Sequence, residues 1–239
     1  MKEIRIVTPV KNSIELTIKS IEAVSRSELS LPHTYTVYND FSTSENTRKL
    51  ESAAAHFDFT LVNLADFTIH PSPNYLFVLQ REQQVALEAD AALCVVESDV
   101  IIRPDTIQRL HNVLLTHPDA GLVSAVTMDS KGSINYPHAF AAGHEGQVFS
   151  TKENVSFCCA LLTPELLRGC NFSQLNPSRT WYDPVICRRS LELGFSNYLC
   201  VDTPVLHFPH GSRPWRLLKE TNRFKYYWYK IFRKLDKNK

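Results

Sequence analysis

Over the first hundred residues, short β-rich runs alternate with segments whose apolar side chains recur every three or four positions. Residues 4–7 (Ile-Arg-Ile-Val) form a candidate strand, followed by a turn at 9–12. Asn12 with Glu15 three positions on has the form of a capping box, and Ile14, Ile18 and Ile21 then mark one face of a helix. A second strand at 35–38 ends at Asn39-Asp40, and Ser42 with Glu45 signals a helix running to about Ala55. A strand at 59–62, a helix over 75–90 and a strand at 92–96 follow. Pro104 occupies a first helical position, Ile107, Leu110 and Leu114 share a face, and Pro118 ends that helix.

Beyond residue 120 the pattern is less regular. It predicts a strand at 122–126, a polar, loop-rich stretch over 128–153 and a continuous apolar strand over 155–162. Asp183-Pro184 opens a further helix that Gly194 closes, and a last strand near 198–201 leads into Val205-Leu206-His207. The order implies an α/β fold, Rossmann-like, with a mostly parallel central sheet and helices on both faces. Ligands bind such sheets outside the carboxyl ends of the strands. The polar residues just after strands are therefore the first candidates: Thr8 and Lys11, Asn39 and Asp40, Glu97 and Asp99.

Composition adds little until the end of the chain. A length of 239 residues, 44% hydrophobic and 21% charged, suits a globular protein with a sizeable core. No stretch approaches the roughly 20 apolar residues of a membrane span, and the first strand reaches Pro9 too soon for a signal-peptide core, so a cytoplasmic location is expected. Six cysteines show no Cys-x-x-Cys pair and lie mostly in apolar runs, which points to a reducing compartment. The net charge of +1 hides an asymmetry: residues 213–239 carry ten Lys and Arg against Glu220 and Asp236, a net of +8, which leaves −7 for the rest. On a helix, Phe224, Trp228, Ile231 and Leu235 form one apolar stripe flanked by these cations. That suits a helix lying on an anionic membrane surface, peripheral to the inner face of the cytoplasmic membrane. A helix packed on the domain with a solvated basic face is the alternative, and no nucleic-acid-binding motif accompanies the charge. The chain reads as one domain over 1–212, with a donor half to about residue 100 and an acceptor half beyond it, plus a basic aromatic extension over 213–239.

Glu97-Ser98-Asp99 follows an apolar strand directly. Two carboxylates one residue apart at a strand end can converge on a divalent cation, with phosphate oxygens completing its shell. A solvated acidic turn has the same sequence form. Its company decides between them. The chain resembles the family-2 inverting glycosyltransferases of the GT-A fold, in the bacterial glycan-assembly type. The family's Pro-Val-x-Asn turn is matched by Pro9-Val10-Lys11-Asn12. Its Asp-Asp-Gly-Ser turn is matched by Asn39-Asp40-Phe41-Ser42, with Phe41 in place of the Gly, and its Arg eighteen residues before the last motif Asp is Arg81. Its small-residue strand, acidic helix start, Cys, Arg, Gly and strand-ending His fall on 155–162, Tyr182-Asp183, Cys187, Arg189, Gly194 and His207.

The resemblance implies transfer of a sugar, from UDP first among nucleotides, to a glycan or lipid-linked saccharide hydroxyl with inversion. It places Pro9, Asn12, Asn39, Asp40, Arg81, Glu97 and Ser98 around the donor, Asp40 at the nucleobase and Arg81 at the diphosphate. It makes Asp99 and His207 the ligands of Mn²⁺ or Mg²⁺, Asp183 the general base, and Trp181 and Tyr182 the acceptor contacts. Ser212 and Arg213 would close over the diphosphate. A nucleotidyltransferase is the rival enzyme, but its Gly-rich N-terminal loop has no counterpart before Gly121. A sugar-nucleotide-binding protein without turnover is the rival outside enzymology.

Overall fold

The computed structural model describes residues 1–179 and 181–208. Nine strands form one sheet in the order β3-β2-β1-β4-β8-β6-β9-β5, with β7 paired to β9. The strands are β1 (Ile4–Val10), β2 (His33–Asn39), β3 (Thr60–Asn63), β4 (Ala92–Val96), β5 (Val100–Ile101), β6 (Ala120–Met128), β7 (Val148–Thr151), β8 (Cys159–Leu162) and β9 (Ser196–His207). From the pairings, β1, β2, β3, β4, β6 and β9 run one way and β5, β7 and β8 the other, so the sheet is mostly parallel.

Among the described residues six α-helices cover it: α1 (Ile14–Ser25), α2 (Ser44–Ala54), α3 (Tyr75–Ala89), α4 (Thr106–Thr116), α5 (Pro164–Gly169) and α6 (Asp183–Glu192). Strand alternation sorts the core into two layers. Ala92, Cys94 and Val96 of β4 pack with Ile21, Leu50 and Leu110 from α1, α2 and α4. Leu93 and Val95 pack with Leu79, Leu166 and Ile186 from α3, α5 and α6. Each such fully buried aliphatic contributes about 1.5–3 kcal/mol, which is why a five-residue strand with both faces apolar lies at the centre of the sheet.

Local signals shifted where tertiary partners compete for the same polar groups. The Asn12–Glu15 box does not form: Ser13 precedes α1 at φ 48 without a capping hydrogen bond, while Asn12 Oδ1 accepts from Thr43 N and Asn46 Nδ2 across the sheet edge. Helix α2 is capped by Thr43, which accepts from Asn46 N. Ser42 Oγ instead accepts from Asn12 N, and Glu45 pairs with Lys49 one turn along. Pro104 lies in the turn before α4, which starts at Thr106. The apolar run over 155–162 is strand only from Cys159, because Ser156 sits at φ 53 and bends the chain out of the sheet. Strands β5 and β7 and helix α5 are additions to the sequence pattern, and the two expected pieces near 198–207 are one strand, β9. Gly121 lies at a register shift between β6 and β9, where a Cβ would meet Ser190 Oγ at 2.6 Å and Phe195 Cβ at 2.7 Å.

Met1–His207 form one compact unit. The basic helix expected over 213–239, and with it Ser212 and Arg213, lies outside the described residues. Among the described residues, no helix is long and apolar enough to cross a membrane.

Candidate functional site

The carboxyl ends of β1, β2, β4 and β9 carry two groups of polar residues. At β1 and β2, Asp40 N donates to Val10 O at 2.7 Å, which joins the two turns. Asn39 is buried: its Nδ2 donates to Thr47 Oγ1 and Asn63 Oδ1, and its Oδ1 accepts from Ser42 N. The Asp40 carboxylate accepts from Ser72 Oγ at 2.7 Å, Asn74 N at 2.8 Å and Asn74 Nδ2 at 2.7 Å. A carboxylate has about four lone-pair sites, so one acceptor direction remains after the 72–74 loop is tied down. Phe41 sits at φ 56, a conformation that glycine adopts freely and other L-residues at about 1–2 kcal/mol. Pro9, in β1, is paired in register with Tyr38.

Arg81 lies on α3. Its guanidinium stacks on Phe67, 4.6 Å from the ring centre, and reaches the hydroxyl of Tyr38, which also bonds Glu82. Burial and the Glu82 charge push that phenol well above its usual range.

The second group forms where β4, β5, β9 and α6 meet. Strand β5 pairs Val100 with His207, which brings the end of β9 beside the turn after β4. His207 Nε2 lies 3.6 Å from Asp99 Oδ2, and both side chains are buried. The other ring nitrogen, Nδ1, donates to Tyr136 O at 3.0 Å, and this bond holds the ring with Nε2 towards Asp99. Asn135 Nδ2 fixes the same turn through His207 O at 3.2 Å. Ligand atoms of Glu97, Cys158 and His207 all lie within 4.8 Å of one another. Burial pushes the Glu97 carboxyl up to about 7, and the neighbouring charges of Asp99 and Asp183 add to it. Ser98, between the two acids, is buried. Ser20 Oγ of α1 donates to Glu97 O at 3.3 Å and supports the turn from behind.

Asp183 is the first residue of α6, and its charge is felt by Glu97, Cys187 and Tyr75. Asn154 Nδ2 donates to Asp183 Oδ2 at 2.9 Å, and Asn154 Oδ1 accepts from Ser156 N at 3.1 Å. The Tyr75 hydroxyl is buried without a hydrogen-bond partner among the described residues. Burial pushes it well above its usual range, with the charges of Glu97, Asp183 and Cys158 acting the same way.

Two expected acceptor contacts differ in kind. Trp181 is 40% exposed, whereas Tyr182 is 4% exposed and packs in the core 6.3 Å from the ring of Tyr75. Sequence reasoning did not find Asn154, Cys158, Tyr75, Ser72 or Asn74. Only the Asn154-x-Ser156 pair carried a local signal, an Asx turn; Ser72, Asn74 and Cys158 are placed by contacts 32 to 61 positions apart along the chain, and Tyr75 by its ring contact with Tyr182.

No protein-family model matches the chain, and no curated protein does. Solved structures do. A mannosyltransferase, PcManGT from Pyrobaculum calidifontis, in complex with GDP-Man and Mn²⁺, matches with TM-score 0.64 and 14% identity over 95% of this chain and 64% of that one. S. aureus TarS 1–349 in complex with UDP-GlcNAc matches with TM-score 0.63 and 13% identity, over 88% of this chain and 60% of the other. The same protein with UDP gives TM-score 0.61 and 12% identity over 91% and 63%.

The chain has the GT-A fold. It spans less than two thirds of the length of each of these structures. In this GT-A chain the acidic turn after β4 and the His ending β9 meet at the carboxyl ends of their strands, and Asp183 at the start of α6 is near enough for its charge to act on Glu97.

Proposed function

We propose that this protein transfers a sugar from a nucleotide-sugar donor, a UDP-sugar first, to a hydroxyl of a glycan or lipid-linked saccharide, by single displacement with inversion. The observation that carries this reading is the meeting of Glu97 and Asp99 with His207, near enough to Asp183 for its charge to act on Glu97. Asn12 and Asp40 would hold the nucleobase side of the donor, Asp40 through its remaining lone pair, with Pro9 and Asn39 shaping the turns. Arg81, braced by Phe67 and Tyr38, would meet the diphosphate.

Two carboxylates and an imidazole nitrogen on one small volume suit a divalent cation. Asp99 and His207 would hold Mn²⁺ or Mg²⁺ with help from Glu97 and Ser98, and the ion would neutralise charge gained by the leaving diphosphate. Asp183 takes the proton of the acceptor hydroxyl as its oxygen attacks the anomeric carbon and the bond to the diphosphate breaks. Asn154 Nδ2, which donates to Asp183 Oδ2 at 2.9 Å, would hold the carboxylate in one orientation for this step. Trp181, exposed two residues before Asp183 in the chain, offers a stacking face to the acceptor sugar, while Tyr182 acts as packing. A peripheral position on the inner face of the cytoplasmic membrane, through 213–239, belongs to the same proposal.

The test is release of nucleoside diphosphate from a panel of nucleotide sugars with Mn²⁺. Release from one donor class is expected. No release from any donor, with nucleotide binding retained, would leave a sugar-nucleotide-binding protein without turnover.

A further inference from the structure

Cys158 is the member of the acidic cluster to which glycosyl transfer gives no task. Its sulfur lies among the Glu97 carboxylate and the His207 ring, all three ligand atoms within 4.8 Å of one another, and its thiol donates to Glu97 Oε2 at 3.4 Å. The backbone around it is clamped from several sides. Ser156, at φ 53, turns the chain toward the cluster, and Ser124 Oγ donates to the carbonyls of Ser156 and Cys159 at 3.2 and 3.1 Å. Cys158 O accepts from Glu97 N at 2.9 Å, which locks the thiol-bearing residue directly to the motif. Ser156 Oγ donates to the sulfur at 3.5 Å.

All six cysteines are free and buried, but among the described residues only Cys158 joins a carboxylate and an imidazole in a possible cation-binding group. That donor set differs in kind from carboxylates alone. Oxygen ligands suit Mg²⁺ and Mn²⁺, whereas thiolate with imidazole suits Zn²⁺ and Co²⁺.

We propose that Cys158 is a sulfur ligand of the cation site, so that the site prefers thiophilic divalent ions, zinc and cobalt, over magnesium. When the sulfur–metal bond forms, the thiol proton leaves to solvent. The proposal rests on the cation site assigned above, not on turnover.

X-ray absorption at the zinc edge, on the full chain with one equivalent of Zn²⁺, should show a sulfur shell at about 2.3 Å beside lighter ligands at about 2.0–2.2 Å. Co²⁺ in its place should give thiolate-to-cobalt charge-transfer absorption. Cys158→Ser should remove both signals and lower zinc affinity at least about tenfold, the least that losing even an outer-shell partner costs. Cys187→Ser should keep both. Should Cys158→Ser fail to fold, Cys158→Ala, which removes the sulfur without adding a polar group to the buried site, answers the same question. A shell of nitrogen and oxygen only, a sulfur signal that survives Cys158→Ser, or no zinc binding would overturn the proposal. With an all-nitrogen-and-oxygen shell the cation site still stands. A sulfur shell in a chain that releases no nucleotide from any donor keeps this proposal and removes the transferase reading.

Discussion

Asn154 Nδ2 donates to Asp183 Oδ2 at 2.9 Å, and Asn154 Oδ1 accepts from Ser156 N at 3.1 Å. One amide thus ties the start of α6 to the bend that carries Cys158, and it leaves Oδ1 as the carboxylate oxygen not held by Asn154. If Asp183 is the base, Asn154→Ala should lower kcat by about 10²-fold, the cost of misplacing a reacting group by about an ångström. Donor KM should change little. Asp183→Asn should lower transfer by about 10²–10⁴-fold with nucleotide affinity retained; affinity lost together with rate would show that Asp183 mainly starts the helix. Steady-state kinetics with calorimetric nucleotide binding separate these outcomes.

Glu97 carries a fold cost that a bound cation would reverse. Its carboxyl is pushed from 4.5 to about 7 by burial and by Asp99 and Asp183. A carboxyl raised in the folded state opposes folding once the unfolded chain ionises, so the penalty grows from pH 4.5 and levels off above pH 7. Glu97→Gln should therefore raise the unfolding midpoint of the chelator-treated protein at pH 8 and change it little at pH 4.5. The same substitution should weaken Mn²⁺ binding. Thermal unfolding at the two pH values, with and without Mn²⁺, reads both effects.

His138 should set an acid limit on stability. It is fully buried, accepts from Thr127 N at Nδ1 and donates from Nε2 to Val155 O, so it bridges β6 and the segment before β8 as a neutral ring. Burial lowers its pKa from 6.5 to about 4. The unfolded chain takes up a proton that the folded one refuses, so stability falls as pH drops from 6.5 towards 4 and loses no more through this group below that. The loss is of the order of 3 kcal/mol at about 1.4 kcal/mol per pH unit. His138→Gln should be less stable than wild type at pH 7 yet show a shallower decline over that window in denaturant titrations. An equally steep decline would assign the acid sensitivity to other groups.

Deleting residues 216–239 should reduce co-sedimentation with vesicles containing anionic lipid, and high salt should do the same to the full chain, because the basic residues act through a screened surface potential. An unchanged bound fraction would show that the aromatic stripe serves the protein itself and not a membrane.

Much of this was legible from residue order. The alternation of β-rich and helical periods produced the four parallel strands of the first half, since each segment buries its own apolar face whatever its neighbours are. The left-handed backbone at Phe41 was not read from the sequence, because a Phe ordinarily disfavours it. Capping was read less well. Asn12, Ser42 and Thr43 all had polar groups suited to a helix start, and which one capped depended on a turn thirty residues away.

By itself, then, the sequence determined the α/β layering, the placing of Asp40, Glu97 and Asp99 at strand ends, and the start of α6 at Asp183, because these follow from local period and turn chemistry. Only the tertiary structure decided what those residues face. The antiparallel insertion of β8 between β4 and β6 brings Cys158 to Glu97, and the β5–β9 pairing brings His207 to Asp99. It also buried Tyr182 while leaving Trp181 exposed. Strand order across a sheet is set by which apolar faces pack best together, and adjacent residues in the chain carry no record of it.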